Sequence, residues 1–261
     1  MIGQLNLLSR VNNLIENNQL PRTLLLEGEF GCGKHTLASH IADKLGYELI
    51  DITDRISLET LEQITLSPIP NVYSVNITKS SIKEQNMLLK FLEEPLKNSY
   101  ILLLCENKQR LIETVVNRCQ CFKFEGYTKD ELEQFTGGNN LLLEYAATPG
   151  MILKLKDVPL NSMIELSCKI FQQINKANYS NVLTIPDKFW FGKEPDNDKL
   201  EFDIFAYIMQ IQCYKMYCSY QIPFCVYTKT CEFTNNLSIF NINKKNLFEN
   251  FLVSLKMVLG G

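Results

Sequence analysis

Nine residues, Gly28-Glu29-Phe30-Gly31-Cys32-Gly33-Lys34-His35-Thr36, constrain this chain more than any other stretch. Their spacing is G-x-x-x-x-G-K, that of a phosphate-binding loop. Glycines there let backbone N–H groups approach phosphates, and a lysine adds an ammonium. The position after the lysine calls for Ser or Thr, whose hydroxyl holds Mg²⁺; here it is His35. The loop follows Thr23-Leu24-Leu25-Leu26-Glu27, an apolar run that reads as a buried parallel strand. It precedes Thr36–Leu45, in which Leu37, Ile41 and Leu45 recur at helical spacing and Gly46 supplies a stop. Strand, glycine-rich turn and helix are the context a genuine P-loop requires. A P-loop α/β fold is therefore expected. Because of His35, two readings of the loop stay open: an anion cradle, or an inherited shape that binds nothing.

The pattern of a strand followed by a helix continues. Strands are expected over 48–52, 71–75, 100–105 and 121–124, with helices over 1–20, 57–64, 82–92 and 109–117. Alternation of this kind implies a parallel sheet covered on both faces. Tyr100–Cys105 is continuous and apolar, which places it at the sheet's centre. After Gly126 the pattern becomes helical. Thr128 and Glu131 have the spacing of a capping box ahead of a helix to Phe135. A second helix, Leu141–Ala147, ends at Thr148-Pro149-Gly150. Three regions result: a P-loop core over 1–126, a small helical lid over 127–158 and an all-helical domain over 159–261. The last is carried by apolar periodicity in Met163–Ile174, Phe202–Tyr220 and Lys244–Leu259, and its size suits an independent domain.

Charge and cysteine usage narrow the function classes. The formal net charge of −3 gives no global attraction to nucleic acid, so any DNA contact would need a local patch. No apolar run approaches membrane-spanning length and the first residues do not read as a signal peptide, so a cytoplasmic protein is expected. The nine cysteines then read as small buried side chains more readily than as disulfides. Cys213, Cys218, Cys225 and Cys231 lack the paired spacing of a zinc site, and no metal site is expected.

Several motifs, in order, carry a family resemblance. Ile2-Gly3-Gln4 and Gln19-Leu20-Pro21 precede the P-loop. Asn86-Met87-Leu88-Leu89-Lys90-Phe91-Leu92-Glu93-Glu94-Pro95 follows an N-x-L-L-K-x-L-E-E-P pattern. Asn117-Arg118-Cys119, Ala146–Gly150 and Asn241-Ile242-Asn243 come after it. Together they resemble the delta-prime subunits of bacterial DNA polymerase III clamp loaders, members of the AAA+ superfamily. The resemblance is strong over residues 1 to about 155 and weak between about 160 and 240. It implies that the C-terminal helical domain is an oligomerisation collar and that the partners are the other subunits of a hetero-oligomeric ring. It further implies a sliding clamp, and primed DNA reached through the assembled complex. Arg118 would be an arginine finger acting on a neighbour's ATP, and Asn107 would stand at the sensor-1 position.

The departures from the family pattern matter as much as the matches. Counting back from Asn86, the two acidic Walker B positions fall on Val75 and Asn76, and neither can orient Mg²⁺ or polarise water. The family's four-cysteine zinc module is absent between Leu45 and Asn71, and Met151 stands where related ATPases carry a basic sensor-2 residue. The phosphate-binding set is thus Gly28, Gly31, Gly33, Lys34, His35 and Thr36, in degenerate form. ATP or ADP binding is left open, and Mg²⁺ binding is not expected. The first expectation is a subunit that does not hydrolyse ATP and acts through Arg118. One alternative is a weakly active ATPase in which Thr36 and either Glu27 or Glu106 replace the missing groups. Another is a stand-alone nucleotide-sensing or interaction protein.

Overall fold

Consecutive side chains of a strand point to opposite faces, so an unbroken apolar run must be covered on both sides. The computed structural model meets that demand with a five-stranded parallel sheet between two helical layers. It describes residues 3–52, 56–57, 59, 61–62, 64, 67–93, 98–176, 179–182, 197–237 and 243–259. The chain divides into two compact units, 1–153 and 154–261.

In the first unit the strands are β1 (Thr23–Glu27), β2 (Glu48–Ile52), β3 (Asn71–Asn76), β4 (Tyr100–Cys105) and β5 (Gln120–Lys123). Their order is β2-β3-β4-β1-β5, with β4 in the middle as expected. Leu24 lies opposite Leu102 and Gln120, and Val72 opposite Tyr100; all four strand pairings are parallel. β1 and β4 are buried along their whole length, whereas the outer strands β2 and β5 are partly exposed.

The sheet's two faces have separate cores. Leu24, Leu26, Leu102, Leu104 and Phe122 pack against Val11 of α1 (Leu5–Glu16) and Leu37 and Ile41 of α2 (Lys34–Leu45). Leu25, Tyr73, Val75, Ile101 and Leu103 face Leu88 and Leu92 of α3 (Ile82–Glu93) and Val115 of α4 (Glu113–Val116). Gly46 ends α2 at a φ of 69°, a left-handed cap that glycine adopts without steric cost. The helix expected over 109–117 is broken. A 3₁₀ turn, Lys108–Arg110, is separated from α4 by Leu111 and Ile112 in extended conformation. Residues 58, 60 and 63 of the helix expected over 57–64, and residues 1–2, 94–97 and 241–242, lie outside the described residues.

The region after Gly126 contains α5 (Lys129–Thr136), α6 (Asn140–Tyr145) and α7 (Pro149–Lys156). The Thr128–Glu131 capping box forms in both directions. α6 ends earlier than expected, at Tyr145 with Ala146 extended as its C-cap, and Thr148-Pro149-Gly150 starts α7 instead. Thr148 Oγ1 accepts the Met151 N–H at 3.3 Å, and Pro149 occupies the first helical position, where its missing N–H costs nothing.

The second unit is helical among its described residues. It comprises α8 (Leu160–Lys176), α9 (Tyr179–Val182), α10 (Asn197–Cys218), α11 (Phe224–Leu237) and α12 (Lys244–Leu259). Phe202, Phe233, Phe248 and Phe251 form its aromatic core, with ring centroids 4.4–6.3 Å apart. Ile204, Phe205, Ile208 and Met209 make α10 buried on several faces, as its all-round apolar sequence requires. No helix among the described residues is long and apolar enough to cross a membrane.

Candidate functional site

In a parallel sheet a ligand crevice opens at the carboxyl ends of adjacent strands whose connections leave in opposite directions. Here those strands are β4 and β1, and Gly28–Gly33 follows β1. A cavity of about 720 Å³ lies there, lined by Gly31, Gly33, Lys34, His35 and Thr36 together with Asp51, Asn76 and Glu106. Gly31 to Thr36 of the sequence-predicted set are thus brought together, with Gly28 lining a neighbouring cleft, but Lys34, His35 and the loop carbonyls are bonded to the protein itself.

Lys34 Nζ donates to the Gly28 carbonyl at 2.5 Å and to the Glu29 carbonyl at 2.8 Å. The next three carbonyls of the loop are also engaged. Thr148 Oγ1 donates to Phe30 O at 2.7 Å, the Gly150 N–H to Gly31 O at 3.0 Å, and Tyr127 Oη to Cys32 O at 2.7 Å. Gly31 and Gly150 meet so closely that a Cβ on Gly150 would lie 2.4 Å from the Gly31 Cα. Gly31 also has a φ of +76°. Both positions need glycine, one for conformation and both for approach. Tyr127 is held in place by its neighbours. Gly3 lies against its ring, and the Gln4 amide exchanges two hydrogen bonds with the backbone of Glu125, at 2.8 and 3.1 Å.

The metal half of the motif is replaced by a different pair. His35 Nε2 lies 2.6 Å from Asp51 Oδ2 at the end of β2. Val75 is buried in the sheet, and Asn76 Oδ1 accepts the Thr78 N–H at 3.0 Å. Mg²⁺ prefers hard oxygen ligands in octahedral geometry. An imidazole, a buried valine and a committed amide at the motif positions do not fit that ion. Asn107 is also committed: its Oδ1 caps the 3₁₀ turn through the Gln109 N–H at 2.9 Å, and it lines a neighbouring cleft. Glu106, one residue before it, lines both that cleft and the phosphate-loop cavity. Glu27 is buried, accepts the Lys108 N–H at 3.2 Å and sits 3.8 Å from Lys108 Nζ. Met151 opens into α7 beside Gly150, with its N–H spent on Thr148.

Arg118 lies at the opposite, amino end of the sheet. Its carbonyl accepts from Thr23 Oγ1, at the first residue of β1, at 2.8 Å. The five residues of β1 put it roughly 16 Å from the loop at about 3.3 Å per residue. Its side chain is 34% exposed and bonds Glu93 Oε1 at 2.5 Å and the Thr114 carbonyl at 2.8 Å. Two features escaped the sequence reading. Asp51 sits in a strand with no local mark of its partnership with His35. Glu93 was legible only as part of a motif.

The cysteines around the sheet are packing groups. Burial pushes the thiols of Cys105 and Cys119 up to about 12, and those of Cys32 and Cys121 upward as well. None of the described cysteines is in a disulfide, and the described residues contain no cluster of three or more metal-binding side chains.

Known proteins resemble parts of this chain. Residues 54–128 match the family described as "DNA polymerase III, delta subunit". Over 84 residues the chain is 36% identical to the DNA polymerase III subunit delta' of Bacillus subtilis strain 168, covering 31% of this chain and 24% of that protein. It is 24% identical over 169 residues to the DNA polymerase III subunit gamma of Buchnera aphidicola, covering 52% of this chain and 47% of that one. Over these stretches the chain is similar to DNA polymerase III clamp-loader subunits. It spans less than half the length of these curated relatives. Among solved structures, a gamma subunit-related protein of Thermotoga maritima matches 95% of this chain and 99% of its own at a TM-score of 0.51 and 12% identity. A point mutant of Thermotoga maritima RuvB matches 91% and 85% at a TM-score of 0.54 and 16% identity. These likenesses show the fold, an AAA+ α/β domain with a C-terminal helical region.

Proposed function

We propose that this chain is a clamp-loader subunit of delta-prime type that does not hydrolyse ATP. It takes its place in a hetero-oligomeric ring, contributes Arg118 to the ATP site of a neighbouring subunit, and so helps load a sliding clamp on primed DNA. Residues 127–158 act as a lid and residues 159–261 as the collar through which the ring assembles.

The observation that carries this reading is the internal engagement of the motif's two side chains, Lys34 and His35, together with the loop's carbonyls. Lys34 and three lid-side groups occupy its five consecutive carbonyls, and His35 is paired with Asp51. A lysine serving a phosphate must leave its two carbonyls, and the groups from 127–150 that hold the other three fix the loop's shape. Arg118 supports the complementary half. It stands at the end of the sheet remote from its own cavity, where only another molecule's phosphate could come within reach. Its planar fork suits developing phosphoryl charge better than a lysine would.

Incubation of the purified chain with Mg-ATP tests the first half. No turnover above background is expected, with or without Lys34→Ala. Turnover that Lys34→Ala abolishes would instead establish the second reading, a weak ATPase. That reading has one observation in its favour: Thr36 and Glu106 both line the cavity and could stand in for the missing hydroxyl and acid.

A further inference from the structure

We infer that Glu93 is a positioning residue for Arg118. Its carboxylate holds the guanidinium at the amino end of the sheet in the orientation that presents the remaining N–H groups to a phosphate bound by another subunit. The inference rests on the finger reading of Arg118 given above.

An arginine side chain on a surface samples many rotamers, and a finger that must find them all is a poor finger. Arg118 is held at both of its ends. Its backbone is fixed by its N–H to Val115 O at 3.2 Å and by Thr23 Oγ1 on its carbonyl. Its guanidinium is fixed by Thr114 O on Nη1 and by Glu93 Oε1 on Nη2. A guanidinium carries five N–H donors, so the others remain for a ligand. The side chain keeps its positive charge whatever it contacts.

Glu93 is in turn placed by the core. It is the last residue of α3, whose Leu88 and Leu92 are buried in the sheet's second core. The same helix is tied to the start of α4 through the buried Gln85, whose Oε1 accepts the Ile112 N–H at 2.8 Å. Thus α3 and the segment leading to Arg118 are joined near both ends, by Gln85–Ile112 and by Glu93–Arg118. The ion pairs Lys169–Glu165, Lys229–Glu232 and Lys245–Glu249 link neighbours on one helix, whereas Lys244–Asp203 joins two helices. The Glu93–Arg118 pair joins two separate elements and leaves both groups partly exposed, at 52% and 34%. Such a pair contributes little to stability, so its consequence lies in where it puts the fork. Misplacement of a catalytic group by about 1 Å can cost about 10²-fold in rate.

The test uses the full chain assembled with the ATPase subunits of its replication complex, with clamp and primed DNA present, and reads kcat and KM for ATP. Glu93→Ala is expected to lower kcat about tenfold while KM, assembly and the chain's melting temperature stay as in wild type. Glu93→Gln, whose amide oxygen still accepts the guanidinium N–H, is expected to recover most of the rate. In an Arg118→Ala background, Glu93→Ala is expected to cost nothing more. A slow Arg118→Ala complex combined with a wild-type or faster Glu93→Ala complex would overturn the positioning role alone. A wild-type rate for Arg118→Ala would overturn the finger and its positioning together.

Discussion

The two ends of the sheet in the first unit use their cations in opposite ways. At the carboxyl end, Lys34 is spent on the loop's own carbonyls and His35 on Asp51. At the amino end, Arg118 is braced by Glu93 and Thr114 O yet keeps unspent donors and about a third of its surface exposed. A P-loop fold ordinarily concentrates its chemistry at the carboxyl end. On the proposed reading that end is structural, held to residues 148–150 through Gly31 and Gly150, and the group for phosphoryl chemistry stands at the other. On that reading a nucleotide-binding scaffold keeps the shape that holds Arg118 in place without its hydrolytic ligands.

The comparison breaks most visibly if the arginine fork is unnecessary. Arg118→Lys keeps the charge but removes the planar donors. It is expected to cost about 10²-fold in the ATPase rate of the assembled complex, measured by steady-state phosphate release. A near-wild-type rate would reduce the finger to a point charge.

The interlocked character of the carboxyl end is sharpened by a pair of glycine substitutions. Gly150→Ala drives a Cβ to 2.4 Å from the Gly31 backbone and disturbs the hydrogen bond between them, with an expected loss of about 3 kcal/mol. Gly46→Ala meets nothing within 4 Å and costs only the left-handed conformation, about 1 kcal/mol. Denaturant titration of both variants separates the values. Equal losses would mean that the loop and the lid side are not locked.

The smallest effect concerns the thiols, which test whether the core around the loop is closed. At pH 8 Cys218 and Cys225, both exposed, are expected to react with a thiol reagent first. Cys32 and Cys105 beside the loop are expected to react only on unfolding, because the thiolate is the reactive form and burial raises both thiols. Rapid labelling of Cys32 in the folded chain would show that the loop opens.

The sheet was legible because its strands announce themselves: Leu24–Leu26 and Tyr100–Cys105 are apolar runs too short for helices. Gly46 and the Thr128–Glu131 box marked their helix ends through local chemistry. The misses have local causes too. Pro149-Gly150 reads as a stop, yet proline at a first helical position also begins a helix. Leu111 and Ile112 break the expected 109–117 helix because the chain turns there to bury Leu111. α11 was missed because Thr228, Thr230, Thr234, Asn235 and Asn236 dilute its apolar period. The His35–Asp51 and Glu93–Arg118 pairs join residues 16 and 25 positions apart, and only the folded sheet brings them together. The degenerate loop was visible in sequence, whereas the satisfaction of its carbonyls by Thr148, Gly150 and Tyr127 was not.

The central claim is that chemistry has left this chain's own cavity and resides in Arg118. It is tested most directly by building two loader complexes that differ only in this subunit, one with Lys34→Ala and one with Arg118→Ala, and measuring clamp- and DNA-stimulated ATP hydrolysis. The account predicts a wild-type rate with Lys34→Ala and a fall of about 10³-fold at the affected site with Arg118→Ala. A slow Lys34→Ala complex beside an undiminished Arg118→Ala complex would contradict it.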